Sequence, residues 1–201
     1  GMAQTYVGSN NINLLQPNGQ FGTRVQCGSD SASPRYIFTV LTMLARLIYR
    51  EEDNAILKYI DDDGMLVEPL YYIPIIPMVL VNGAIGIGTG FSTNVPSFNP
   101  SDIIDECKTI ITSLDKESVQ IHTKADLDKA YQIIDKVKLN TLKPWYLGFM
   151  GKITSNSGKG KESSFVSHGV YKWIDDQTVE ITELPIGTWT DDYKEFLLSL
   201  I

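Results

Sequence analysis

The sequence predicts a mixed α/β fold on three observations. Apolar residues recur at helical spacing behind a capping residue and a proline, at Ser33-Pro34 and again at Asn99-Pro100. An Asp-Gly pair, Asp63-Gly64, separates two apolar runs as in a β-hairpin. Later runs around 147–154, 165–173 and 178–184 read as strands.

Taken in order, residues 8–34 are rich in Gly, Asn, Ser and Gln and read as loops and short turns. A polar stretch of that length inside a compact domain suggests that it binds something. A helix is expected over about 34–50, with Ser33 as N-cap and Ile37, Phe38, Leu41, Leu44, Leu47 and Ile48 on its apolar side. Residues 56–60 and 66–68 flank the turn at Asp61-Asp62-Asp63-Gly64. Ile73 to Val81 is an apolar, proline-containing extended run, and Gly83 to Gly90 a glycine-rich loop. A second helix starts at the Asn99 cap and runs to about 114, burying Ile103, Ile104, Cys107, Ile110, Ile111 and Leu114. A third covers 124–138. Gly151 to Lys161 reads as a hairpin tip, and the last helix begins near Thr188 or Thr190.

Composition bounds the function classes. The 201 residues suffice for one or two domains, and 43% hydrophobic residues suffice for a packed core. With 20% charged and 10% aromatic residues the chain is not a disordered polar one. No apolar run reaches the ~18 residues of a membrane span. A secretory signal is absent from the first residues. Cys27 and Cys107, far apart, are expected as free thiols in a reducing compartment. Gly1-Met2 reads as a tag-cleavage glycine before a start methionine. The helical pattern from Tyr193 to Ile201 stops without a terminator, so a piece of a longer protein is expected. The net charge of −7 is unevenly spread: residues 1–50 carry four arginines and one aspartate, a net of +3, and the remainder carries −10. Such an acid-poor head points to an anionic ligand, although four arginines in fifty residues also arise by chance.

Several constellations could carry chemistry. Asp61-Asp62-Asp63-Gly64 with Glu68 lacks the alternate spacing of a calcium loop and reads as a solvated turn. Asn82 to Gly90 fits neither the dinucleotide fingerprint, which would need Gly at Phe91, nor the P-loop, which would need Lys at Thr89. It displays Ile85 and Ile87 between glycines, and exposed aliphatics of this kind can wedge between DNA base steps. In Ser33-Pro34-Arg35-Tyr36, the tyrosine falls in the first turn of the expected helix, where a phosphate or a phenolate is favoured. Arg35 can clamp a phosphate bidentately. A tyrosine so placed can attack a phosphodiester. By itself the motif also fits an ordinary packed or surface tyrosine, the commoner case for one of ten. His122 and His168 sit in unrelated contexts with no zinc spacing.

Four stretches together resemble the breakage–reunion core of type IIA DNA topoisomerases, and most of all the eukaryotic and viral topoisomerase II branch. They are Gly8-Ser9-Asn10-Asn11 through Gln20-Phe21-Gly22-Thr23-Arg24; Asp30 through Thr39; Ile73 through Gly90; and Ile181-Thr182-Glu183-Leu184-Pro185 with Thr188-Trp189-Thr190. The resemblance implies that residues 3–66 are the later part of a winged-helix domain and 67–201 the first part of an α/β tower domain. It implies that Tyr36 is the nucleophile that forms a 5′-phosphotyrosyl link, and that Arg35 assists at the scissile phosphate. Ile87 would wedge into the bent duplex, and Arg24 would lie on the loop facing the DNA backbone. It further implies a homodimeric nuclear or viral enzyme acting on double-stranded DNA, with no membrane role. Mg²⁺ and ATP would be bound outside these residues, so the stretch alone would be inactive. The sequence departs from the family pattern at Ser29, where lysine is frequent, at Ile85, where an acid is common, and at Phe91, where tryptophan is common. The alternatives are a non-catalytic DNA-bending module and, more weakly, a nucleotide-binding domain using Gly83 to Gly90.

Overall fold

The computed structural model describes residues 1–156 and 164–201. The elements are, in chain order, α1 (Met43–Ile48), β1 (Tyr59–Asp62), β2 (Met65–Pro69), α2 (Met78–Val81), β3 (Ala84–Gly88), β4 (Phe91–Val95), α3 (Pro100–Lys116), α4 (Lys124–Ile134), β5 (Lys152–Asn156), β6 (Ser164–His168), β7 (Val170–Trp173), β8 (Val179–Glu183) and α5 (Thr190–Leu198). Short 3-10 turns occupy Arg24–Gln26, Pro34–Tyr36 and Glu51–Ile56. The described strands form four antiparallel two-stranded sheets, β1–β2, β3–β4, β5–β6 and β7–β8. The fold is the mixed α/β class that the sequence predicts.

The largest difference from expectation lies at 34–50. Only Pro34–Tyr36 and Met43–Ile48 are helical, and the residues between them are extended. The cause is tertiary pairing. Phe38 exchanges backbone hydrogen bonds with Asn18 at 3.0 and 3.1 Å, Gln16 N–H donates to Val40 C=O, and Thr42 N–H donates to Leu14 C=O. The β-branched and aromatic run Ile37-Phe38-Thr39-Val40 suits that extended path, so pairing with residues 14–18 overrides the helical spacing. Ser33 makes no side-chain cap. Thr42 caps α1 instead, its Oγ1 accepting from Ala45 N–H and donating to Asn13 C=O.

Gly83 to Gly90 is likewise not a loop. Ala84 to Gly88 pairs in register with Phe91 to Val95 around a turn at Thr89-Gly90. The run Ile73 to Val81 ends in the single turn α2 instead of continuing extended. The expected strand over 165–173 breaks at Gly169, with β6 pairing to β5 and β7 to β8. The expected hairpin tip at 151–161 proves to be strand over Lys152–Asn156, and its later residues lie outside those described. Elsewhere local signals hold. Asn99 caps α3 by accepting from Ser101 N–H, Thr123 and Asp126 form a capping box on α4, and Asp63-Gly64 turns the β1–β2 hairpin with both residues at positive φ.

The core centres on Ile76, Val81 and Ile103, with Ile12, Met78, Leu80, Phe98, Cys107 and Leu142 packed around them. Asn11 locks this core to the N-terminal segment. Its Nδ2 faces the carbonyls of Val81, Phe98 and Trp145 at 2.9–3.0 Å, and its Oδ1 accepts from Leu147 N–H at 2.8 Å. Asn82 pairs reciprocally with the backbone of Ile12. Part of the polar 8–34 stretch therefore satisfies backbone groups of this same chain, as buried segments require. Both cysteines are free thiols, and no described helix is long and apolar enough to cross a membrane.

Candidate functional site

Tyr36 ends the Pro34–Tyr36 turn, its N–H donating to Ser33 C=O at 2.9 Å. On one side the turn is anchored by the Phe38–Asn18 bridge. On the other, residues 20–32 fold back on themselves. Thr23 donates from its N–H and its hydroxyl to the two oxygens of Asp30, at 2.8 and 2.6 Å. Ala32 N–H donates to Gln20 C=O, and Gly28 N–H to Thr23 C=O. The donation from the Thr23 hydroxyl, helped by its N–H, holds the Asp30 carboxyl below its ordinary value. Gly22 and Gly28 make the loop possible. Both have positive φ, and a Cβ on Gly22 would stand 2.4 Å from the Gly28 Cα. The loop therefore presents the tyrosine from a braced frame, with the residue 68% exposed.

The four arginines of the head have different fates. Arg50 pairs with Glu52, whose carboxyl that guanidinium holds down at about 2. Arg24 is ion-paired to Glu183 and also donates to Leu184 C=O at 2.7 Å. Arg35 has no hydrogen-bond or ion-pair partner among the described residues, and its guanidinium carbon lies 5.1 Å from the Tyr36 ring centroid. Arg46 is likewise unpaired among them and lines a cleft with Leu47, Arg50, Glu52 and Ile75. Arg35 and Tyr36, neighbours in sequence, are thus neighbours in space, and the cation stands ready for an anion beside the phenol. Arg24, expected to face a phosphate backbone, has its guanidinium engaged inside the protein. Neither its partner Glu183 nor this tie was singled out from sequence. The available signal was an acid between apolar residues in Ile181-Thr182-Glu183-Leu184.

Ile87 stands apart from Tyr36, on the β3–β4 ribbon. The register pairs Ile85 with Asn94 and Ile87 with Ser92, so both isoleucines lie on one face of the ribbon. They are 84% and 92% exposed. Gly86 and Gly88 belong to the ladder, so this stretch is not a loop of free amides for a phosphate. From Pro69 to Ser101 the chain has no charged residue, so the ribbon carries no carboxylate to repel a polyanion.

The remaining candidates stay separate. Asp61 caps its own turn by accepting from Gly64 N–H, His122 and His168 are exposed, and His168 contacts Thr154. Among the described residues no three His, Cys, Asp or Glu side chains come together as a metal site. No cluster among the described residues fits the Mg²⁺ that the resemblance implies.

An exposed tyrosine on a braced polar loop and an apolar ribbon far along the chain make an unusual pair in one small fold. The model of the DNA gyrase/topoisomerase IV A-subunit family matches residues 1–201, and the chain belongs to that family. Within it, the chain is 46% identical over 200 residues to DNA topoisomerase 2 of Arabidopsis thaliana, covering 100% of this chain and 12% of that protein. DNA topoisomerase 2 of Plasmodium falciparum is also 46% identical over 200 residues, again covering 100% of this chain and 12% of the relative. The crystal structure of the Plasmodium falciparum topoisomerase II DNA-binding, cleavage and re-ligation domain matches with a TM-score of 0.80 at 48% identity, covering 99% of this chain and 24% of that one. The small antiparallel sheets and the winged-helix and tower layout fit that region. The chain thus spans about an eighth of the length of the curated relatives it matches.

Proposed function

We propose that these residues supply the nucleophile and part of the DNA bed of a type II DNA topoisomerase. The parent enzyme makes a transient double-strand break, passes a second duplex through it and reseals it. Residues 3–66 act as the later part of its winged-helix domain and 67–201 as the first part of its tower. The observation that carries the reading is the contact of the unpaired Arg35 with the exposed Tyr36 on a frame fixed by hydrogen bonds.

The chemistry follows from those two side chains. The Tyr36 phenol gives up its proton and its oxygen attacks the phosphorus. A P–O bond to tyrosine forms, the P–O3′ bond breaks, and the departing O3′ takes a proton. One phosphodiester is exchanged for another, so the 3′-OH can attack the 5′-phosphotyrosine and reseal the strand. Arg35 pairs with the non-bridging oxygens, where charge builds in the transition state. Ile87 contributes by bending: an aliphatic wedge between base steps opens them and turns the backbone toward the tyrosine. Arg24 braces the loop. Mg²⁺, when bound by other parts of the enzyme, supplies charge at the phosphate, and ATP acts elsewhere. The working protein is a homodimer on double-stranded DNA, in the nucleus or in the compartment where a viral parent replicates.

In the full-length protein Tyr36→Phe abolishes covalent capture of DNA while leaving binding largely intact. Persistent covalent complexes would move the nucleophile elsewhere. The isolated 201-residue chain neither cleaves nor relaxes supercoiled DNA with Mg²⁺ and ATP, and relaxation by it would overturn the division of labour. The exposed ribbon also favours a second reading, a bending module without chemistry. Bending by the full-length protein with no covalent complex under any condition would select it.

A further inference from the structure

Glu183 takes no part in the chemistry above, yet it is the buried acid among the described residues, 7% exposed at the end of β8. Both of its oxygens are used. One receives Arg24 Nη1, and the other accepts from Met150 N–H at 3.1 Å. The second arm of Arg24 donates to Leu184 C=O. A lone carboxylate or a lone guanidinium would be strongly disfavoured there, so the two groups hold each other in place. Two further ties run in parallel. Gln26 Nε2 donates to Asp191 Oδ2 at 2.8 Å, and the Tyr6 ring meets Trp189 edge-on at 6.0 Å. Arg24 also adjoins Thr23, which grips Asp30, and the same loop continues through Ala32 and Ser33 to the backbone of Tyr36. Covalent and hydrogen-bonded links therefore run without a gap from β8 to the turn that carries the phenol.

The geometry points to Glu183 and Arg24 as an ion-pair latch that positions the tyrosine loop against the β7–β8 hairpin and α5, so that alignment of Tyr36 for attack depends on a segment some 150 residues away in sequence. The inference rests on Tyr36 being the nucleophile. Glu183 touches no reacting atom and acts only as a positioning residue. Opening the latch leaves Ile87 in place on its own ribbon but lets the loop that carries Arg35 and Tyr36 drift, and displacements near 1 Å strongly slow reactions that depend on alignment.

The test uses the full-length protein with Glu183→Gln, Arg24→Lys and the double variant. Three quantities are read: covalent DNA complex trapped by denaturant, DNA affinity and melting temperature. Each single variant should trap about 10-fold less complex or lower, with affinity unchanged within about 2-fold. The double variant should lose no more than either single one, because each opens the same latch. If Glu183→Gln melts below the assay temperature, Arg24→Lys carries the test alone, since it keeps the charge and drops one of the two bonds. Normal trapping by a folded variant overturns the latch, as do losses that multiply in the double variant or a parallel fall in affinity. Tyr36→Phe in the same assay separates the two levels: trapping that survives it overturns the nucleophile beneath the latch, whereas trapping lost only there overturns the latch alone.

Discussion

The tyrosine loop and the β3–β4 ribbon both offer an exposed side chain to a ligand, but they hold it differently. Tyr36 sits in a frame closed by the Thr23–Asp30 bonds, the Phe38–Asn18 bridge and the Arg24–Glu183 ion pair. Ile87 sits on two strands that pair with each other and carry little else. Forming a bond to phosphorus demands alignment within a fraction of an ångström, whereas wedging a base step demands reach and an apolar surface. Under the proposed function, bracing is therefore concentrated at the proposed nucleophile, and the proposed bending element is left free to follow a duplex.

Glycine substitutions break this comparison most sharply. Gly22→Ala places a Cβ against the Gly28 backbone at a φ of +97°. It should cost about 1–2 kcal/mol from the left-handed conformation alone, and covalent trapping by the full-length protein should fall about 10-fold or more. Gly86→Ala meets nothing within 4 Å. It should change melting by no more than about 0.5 kcal/mol and leave trapping near normal. Equal losses from the two would erase the distinction between a braced and a free region.

The ribbon supplies the next test. Ile87→Ala should leave stability within about 0.5 kcal/mol yet reduce bending of a dye-labelled duplex, with trapping falling alongside. Ile85→Ala, on the same face, should do the same more weakly. A bend unchanged in both variants would remove the wedge. The smallest effect is electrostatic. Asp30 has a carboxyl held below its ordinary 3.8. A depressed acid contributes stability above its unfolded value and loses it as pH falls through the folded one. Amide hydrogen exchange at Thr23 should therefore quicken only below about pH 4, while exchange in the ribbon shows no such step. A matching step in the ribbon would mean a global transition instead.

The sequence made legible what is set locally. The Asn99-Pro100 start of α3, the Asp63-Gly64 hairpin and the start of α5 all follow from residues within one turn of each other. It failed where distant partners decide. Ile37 to Val40 satisfied a helical spacing, but residues 14–18 drew them into extended pairing. Gly83 to Gly90 is a different case: it read as a loop because glycine weakens strands, although its partner Phe91-Ser92-Thr93-Asn94-Val95 follows directly in the same hairpin. A helix over 34–50 would have lent Tyr36 the positive end of its dipole. A three-residue turn has no such dipole, so Tyr36 stands out instead by its exposure and by the Arg35 guanidinium beside it. Nothing local to Arg24 shows that its buried partner Glu183 lies 159 residues away.

The most direct measurement traps the covalent DNA adduct of the full-length protein, digests it with nuclease and trypsin, and weighs the peptides. Cleavage after Arg35 and Arg46 releases residues 36–46 as one peptide. The nucleotide mass should ride on that peptide, on its single tyrosine. The same mass on any peptide lacking Tyr36 would contradict the account at its root.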